Sequence, residues 1–261
     1  MTGFSTEWLS LREPLDRAAR NSGLLKQAIQ LLPPEGGTIL DLGCGTGSTY
    51  RAFAEANGGR HDWRLADNDP ALLSEAEKRC GPEVRIEQCD IFDLDAIDFD
   101  GVTLVTASAL LDLCSAEWIS GLADRLAESG ASFYAALTYD GSMRWQPPDD
   151  YDADMVRAFN HHQTRDKGLG PALGPDAARC MERRLREAGY STSRAPSPWR
   201  IAPSSNEMHK LLVSGIVGAV LETGEVSKSI AETWANDREV LETGATCTVG
   251  HIDLLARPTP E

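Results

Sequence analysis

Thr38-Ile39-Leu40-Asp41-Leu42-Gly43-Cys44-Gly45-Thr46-Gly47-Ser48 is the stretch whose reading decides the fold. Residues 38–42 form a short apolar run with one acid, as a buried strand does. Three glycines in five residues follow at once. Glycine lets the backbone turn sharply and come close to a ligand. A helix expected from about Ser48 to Ala56, with Tyr50, Phe53 and Ala54 on one face, would present its free N–H groups beside that loop. A GxGxG loop alone is weak evidence, but its neighbours sharpen it. Ser48 stands where the dinucleotide spacing GxGxxG needs its third glycine. Asp41, two positions before the first glycine, would repel a pyrophosphate and suit a ligand carrying an ammonium group. Asp67 ends the next apolar run, where a carboxylate can take both hydroxyls of a ribose.

Outward from the loop, strands and helices alternate. His61–Asp67 reads as the second strand, and Asp69 with Pro70 opens a helix that ends near Gly81. Val84–Cys89 and Val102–Ala107 read as strands, the latter apolar enough to be buried on both faces. Ser115 caps a helix carrying Trp118, Leu122 and Leu126, and Ser132–Thr138 is a fifth strand. This rhythm predicts an α/β fold: a Rossmann-like, doubly wound, mostly parallel sheet of seven strands. After Asp140 the rhythm breaks. Residues 141–174 contain Pro147, Pro148, a helix near 152–162 and Lys167-Gly168-Leu169-Gly170-Pro171, an excursion that reads as a lid. A helix between Pro175 and Gly189, a strand near 190–201, helices at about 205–222 and 226–241 and a last strand, Thr246–Ala256, complete the chain. Residues 6–32 form one or two helices, stopped at Pro33-Pro34-Glu35-Gly36-Gly37. The expected organisation is an N-terminal helical cover, 1–35, on a sheet domain, 36–261, whose insert (141–174) and helix pair (205–241) form the lid.

Composition narrows the function classes. The 261 residues include 25 Lys and Arg against 40 Asp and Glu, a formal charge of −15, with 41% hydrophobic residues. That acidity argues against nucleic acid and against an anionic membrane surface as partners, since both are held by clustered cations. Cysteines 44, 80, 89, 114, 180 and 247 show no CxxC spacing and read as free, mostly buried thiols of a reducing compartment. The N-terminus has no apolar signal core, and the stretch Leu211–Leu221 is too short to span a bilayer. A soluble, cytoplasmic protein is expected.

With these residues in view, the chain resembles the class I S-adenosylmethionine-dependent methyltransferases. Ile39–Gly47 resembles that family's first motif, Leu65-Ala66-Asp67-Asn68-Asp69-Pro70 its second and Cys89-Asp90-Ile91-Phe92 its third, so that the likeness covers residues 36–140. The resemblance implies that Asp41, Gly43, Cys44, Gly45 and Gly47 hold the methionine part of the cofactor. It implies that Asp67 binds the ribose with Asn68 beside the adenine, that Asp90 and Ile91 meet the adenine, and that Ala107 and Ser108 flank the sulfonium. A cationic ligand suits a pocket ringed with Asp.

Methyl transfer from a sulfonium needs placement and exclusion of water, and a base only when the acceptor must lose a proton. Candidates sit at strand C-terminal ends and in the insert: Asp112, Tyr139 with Asp140, and His162 in preference to His161. His251 and Asp253 share a strand face and can form a buried hydrogen-bonded pair. Arg12, Arg17 and Arg20 are placed to bind the cofactor's carboxylate or an anionic acceptor, with surface solubility the reading for at least two of them. Asp93, Asp95, Asp98 and Asp100 read as a solvated acidic loop, and no metal is expected. Ala107-Ser108-Ala109-Leu110 lacks the segment of adenine-N6 transferases, and only Asp140 matches the acidic set of catechol-type enzymes. A small-molecule acceptor is the expectation. The alternatives are a non-catalytic protein that binds the cofactor, and a nicotinamide-dependent oxidoreductase, which Ser48 and Asp41 disfavour.

Overall fold

The strand at Thr38–Leu42 (β1) is the centre of the computed structural model, which describes residues 5–56, 59–166, 170–240 and 245–259. Residues 1–4 of the expected cover, Lys167, Gly168 and Leu169 of the insert and residue 241 of the helix pair lie outside the described residues. β1 pairs in parallel with β2 (Asp62–Asp67) on one side and β4 (Val102–Ser108) on the other. β3 (Val84–Gln88) extends the sheet beyond β2, and β5 (Ser132–Gln146) beyond β4. The last strand, β8 (Thr246–Pro258), runs antiparallel between β5 and β6 (Tyr190–Pro196). The order β3-β2-β1-β4-β5-β8-β6 reverses direction between β1 and β4, which opens a ligand crevice at the strand C-termini.

Two residues of strand per side-chain repeat decide what each face buries. Leu40, Leu42, Val105, Ala107 and Ala135 enter one core with α5 (Ala116–Ser129) and α7 (Ala177–Glu187). Ile39, Leu65, Leu104, Tyr134 and Ala136 enter another with α2 (Ser22–Gln30), α3 (Ser48–Glu55) and α4 (Pro70–Cys80). Asp41, Asp67, Thr106 and Ser108 share the parity of this second set. The cofactor-type side chains are therefore brought together by register.

The structure decides one open expectation and departs from two others. Residues 6–32 are two helices, α1 (Thr6–Ala19) and α2, because Asn21 caps the second through its Oδ1, which accepts from Gly23 N and Leu24 N. The strand expected at 190–201 is two, β6 and β7 (Trp199–Ile201), and β7 is an eighth strand paired with β8. The insert begins later than 141: at Gly141 the backbone takes φ +88°, the register slips, and β5 continues with Met143 and Trp145 inward. Such a bulge bends a strand without ending it. β5 and β8 thereby carry a third core, shared with α6 (Asp152–Gln163), α8 (Asn206–Thr223) and α9 (Lys228–Val240), against which Trp8, Leu11 and Leu15 of α1 also rest. Among the described residues no helix is long and apolar enough to cross a membrane.

Candidate active site

The glycine loop owes its shape to backbone conformations that side chains resist. Gly43, Gly45 and Gly47 have φ of +64°, +54° and +82°. A Cβ on Gly47 would lie 2.4 Å from Cys80 Sγ, and one on Gly45 would lie 3.3 Å from Leu9 of α1. The loop is tied to β2 by Cys44 N donating to Ala66 O at 3.1 Å and Gly45 N donating to Asp67 Oδ2 at 2.9 Å.

Asp41 stands behind this loop with no solvent exposure. Thr106 Oγ1 donates to its Oδ1 at 2.7 Å, while Oδ2 has no hydrogen-bond partner among the described residues. Burial pushes its carboxyl up to about 7, against the lowering influence of Thr106, Arg20 and Thr49. Asp67 is also raised by burial, offset by the N–H groups of Asp69, Gly45 and Asn68. Two carboxylates are thus withheld from water without full compensation, which is the condition that favours a cationic, hydroxyl-bearing ligand.

Above them lies a cavity of about 460 Å3, within the size range of small-molecule sites. Of the expected cofactor residues, Gly43, Cys44, Gly45, Asp67, Asn68, Ile91 and Ser108 line it. Asp41 and Gly47 lie behind the lining. Ala107 is turned to the opposite face of the sheet, in the core with α5, because it is one residue out of parity with Ser108. Asp90 is exposed at the rim, its Oδ1 accepting from Phe92 N at 3.0 Å in a local turn. Asp93, Asp95, Asp98 and Asp100 are exposed.

The three expected catalytic residues lie outside the lining. Asp112 sits on a single 3-10 turn, 111–113, while Leu110 and Leu113 on either side of it face the cavity. Tyr139 is buried in the third core; its hydroxyl donates to Asn160 Oδ1 at 2.8 Å, and burial holds its pKa high. His162 Nε2 meets Glu222 of α8 at 2.9 Å, and His161 pairs with Glu225. His251 and Asp253 are both buried yet bonded elsewhere: His251 Nδ1 to Val249 O, Asp253 to Asn21 N, Tyr134 Oη and Leu137 N. Asp140 accepts from Ser142 N and Oγ in the bulge.

α1 roofs the cavity, and its contribution exceeds what the sequence suggests. Leu9, Arg12 and Asp16 line it. Glu13 fastens the helix to α3 and α4 through Arg51 at 2.7 Å and Arg79 at 3.4 Å. Of the three arginines only Arg17 is exposed, so solubility accounts for one of them. Arg20 is buried and donates to Ser108 Oγ at 3.1 Å, and Thr49 Oγ1 lies 3.0 Å from the same oxygen. Ala109 and Leu137, at the ends of β4 and inside β5, hold φ of +50° and +58°, strained values for non-glycine residues of the kind that gather at functional sites. The signal available in the sequence was the spacing of Arg12 and Asp16, four apart and hence on one helical face, with Arg20 just past the helix end.

A family described as "Methyltransferase domain" matches residues 39–130. A trans-aconitate 2-methyltransferase of Streptomyces avermitilis is 28% identical over 174 residues, covering 62% of this chain and 59% of the relative, so the match spans under two thirds of that protein. A solved structure from Bacillus halodurans C-125, provisionally assigned as a methyltransferase, superimposes with a TM-score of 0.53 at 17% identity over 90% of this chain and 99% of the other. The YcgJ protein of Bacillus subtilis gives 0.52 at 12% identity over 92% of this chain and 100% of the other. At these identities the two structures speak for the fold.

Proposed function

We propose that the chain is a class I S-adenosylmethionine-dependent methyltransferase that transfers a methyl group to a small-molecule acceptor in the cytoplasm, a reading supported by the family match over residues 39–130. The single observation that carries the proposal is the orphaned Oδ2 of buried Asp41 behind a glycine cradle, with Asp67 on the adjacent strand. Those residues fit the cofactor: Asp41 would hold its ammonium group, the loop its amino-acid backbone, and Asp67 and Asn68 its ribose and adenine end. When bound, S-adenosylmethionine supplies a methyl group already activated by the sulfonium charge.

The chain's own residues then orient and exclude water. Asp16, Asp67 and Asp69 line the cavity against Arg12, so its wall is net anionic and favours a cation. Leu9, Leu110 and Leu113 close it with apolar surface. A dinucleotide is disfavoured because its pyrophosphate would be set against Asp41. The trans-aconitate relative supports a carboxylic acid as the acceptor class. Incubation with methyl-labelled S-adenosylmethionine and a fractionated small-molecule extract tests the reading: label moves into a small organic acid. Binding of S-adenosylhomocysteine without any label transfer would instead make the protein a non-catalytic cofactor binder.

A further inference from the structure

Arg12 and Asp16, one turn apart on α1, are both buried and both line the cavity. Their hydrogen bonds decide which sign they show to a ligand. Asp16 is filled: Arg12 Nε donates to Oδ2 at 2.9 Å, Arg12 Nη2 to Oδ1 at 3.1 Å, and Trp199 Nε1 to Oδ1 at 2.9 Å. Arg12 is not filled. A guanidinium carries five N–H donors, and among the described residues none accepts from Nη1. Its Cζ lies 4.9 Å from the centroid of the Trp199 ring, and only 10% of the side chain is exposed. The guanidinium is thus held on edge and face, with donors to spare.

A second buried cation stands apart from Arg12: Arg20, the C-cap residue of α1, lies eight residues further on, about 12 Å by helical rise, and donates to Ser108 Oγ. We propose that Arg12 is the specificity-determining residue for the acceptor, binding one carboxylate of a small acid whose body is apolar; this rests on the methyl-transfer reading above. One carboxylate is the limit because Asp16, Asp67 and Asp69 share the wall with Leu9, Leu110 and Leu113. A second or third anionic group would meet carboxylates or hydrocarbon.

The test is calorimetric, on the full chain saturated with S-adenosylhomocysteine. Apolar monocarboxylates from butanoate to 3-phenylpropanoate, their amides, and trans-aconitate are titrated in turn. At least one monocarboxylate should bind tenfold or more tighter than its amide and than trans-aconitate. Arg12→Gln should erase the difference between acid and amide, and Arg12→Lys should keep part of it, as a point charge lacking the fork does. Both should bind S-adenosylhomocysteine within threefold of the parent. The proposal is overturned if no acid surpasses its amide in the parent protein, a comparison that needs no variant, or if trans-aconitate binds tightest. It is also overturned if Arg12→Gln weakens S-adenosylhomocysteine tenfold while 5′-methylthioadenosine, which lacks the carboxylate, binds as before; Arg12 then serves the cofactor. Failure of the parent protein to bind S-adenosylhomocysteine removes the methyl-transfer reading itself.

Discussion

Asp41→Asn should stabilise the ligand-free protein at pH 8 while abolishing its cofactor affinity. The magnitude follows from burial. Asp41 has no exposure, and its carboxyl is raised from 3.8 to about 7. About three units at about 1.4 kcal/mol each make its ionisation cost the folded state about 4 kcal/mol at pH 8. The sign is that of an acid with a raised folded value: between the two values the folded chain holds the proton that the unfolded chain has lost, so stability falls as pH rises from about 4 to about 7. Asparagine removes the charge, keeps an oxygen for Thr106 Oγ1, and places an amide where Oδ2 has no partner. Its advantage should therefore be small at pH 4, grow to about 2–4 kcal/mol by pH 7, and stay level above it. The difference between variant and parent is the right quantity, because His251 acts in the opposite sense. Burial lowers His251 from 6.5 to about 4, so it withdraws about 3 kcal/mol as pH falls through that range and hides the Asp41 effect in the parent's own profile. Urea denaturation followed by tryptophan fluorescence at pH 4, 5.5, 7 and 8 measures both. An Asp41→Asn protein that is less stable than the parent at pH 8, or whose advantage is the same at every pH, would refute the reasoning.

Other consequences are simpler. Asp67→Ala should weaken S-adenosylhomocysteine at least tenfold in calorimetry, since the carboxylate also receives Gly45 N and so shapes the loop. Gly47→Ala should cost about 2–4 kcal/mol in denaturant titration, combining a φ of +82° with a Cβ placed 2.4 Å from Cys80 Sγ; adding Cys80→Ala should restore the packing part and leave the backbone part. His251→Asn should flatten the loss of stability between pH 6.5 and 4, leaving a protein that becomes more stable on acidification as Asp41 takes up its proton.

What was legible in the sequence was whatever depends on neighbours along the chain. Asp41, the three glycines and the end of β2 are local, and strand periodicity places Asp41, Asp67 and Ser108 on one face; that same periodicity excludes Ala107, which spacing within a motif could not. Asp90 follows the motif in sequence, but its turn satisfies Phe92 N and leaves the side chain at the rim. The N-terminal cover and Arg12 were expected over the site, but Leu9 and Asp16 were not, because they reach it only once α1 lies across the glycine loop, a tertiary fact fixed by Glu13, Arg51 and Arg79. Tyr139 and His162 were drawn by their chemistry. Their places follow from the bulge at Gly141, which carries β5 onward into a third core where Tyr139 meets Asn160 and where α6 lies against α8.

The most direct test of the site is the proton balance of cofactor binding. At pH 6 a carboxyl at about 7 is roughly nine-tenths protonated, and an ammonium group held against it forces ionisation. Titration of S-adenosylhomocysteine at pH 6 in buffers of different ionisation enthalpy should therefore show release of close to one proton, vanishing by pH 8, while Asp41→Asn should show no binding at either pH. Binding with no proton release at pH 6, or an affinity that Asp41→Asn leaves unchanged, would contradict the assignment of Asp41 as the anchor of the ligand's ammonium group.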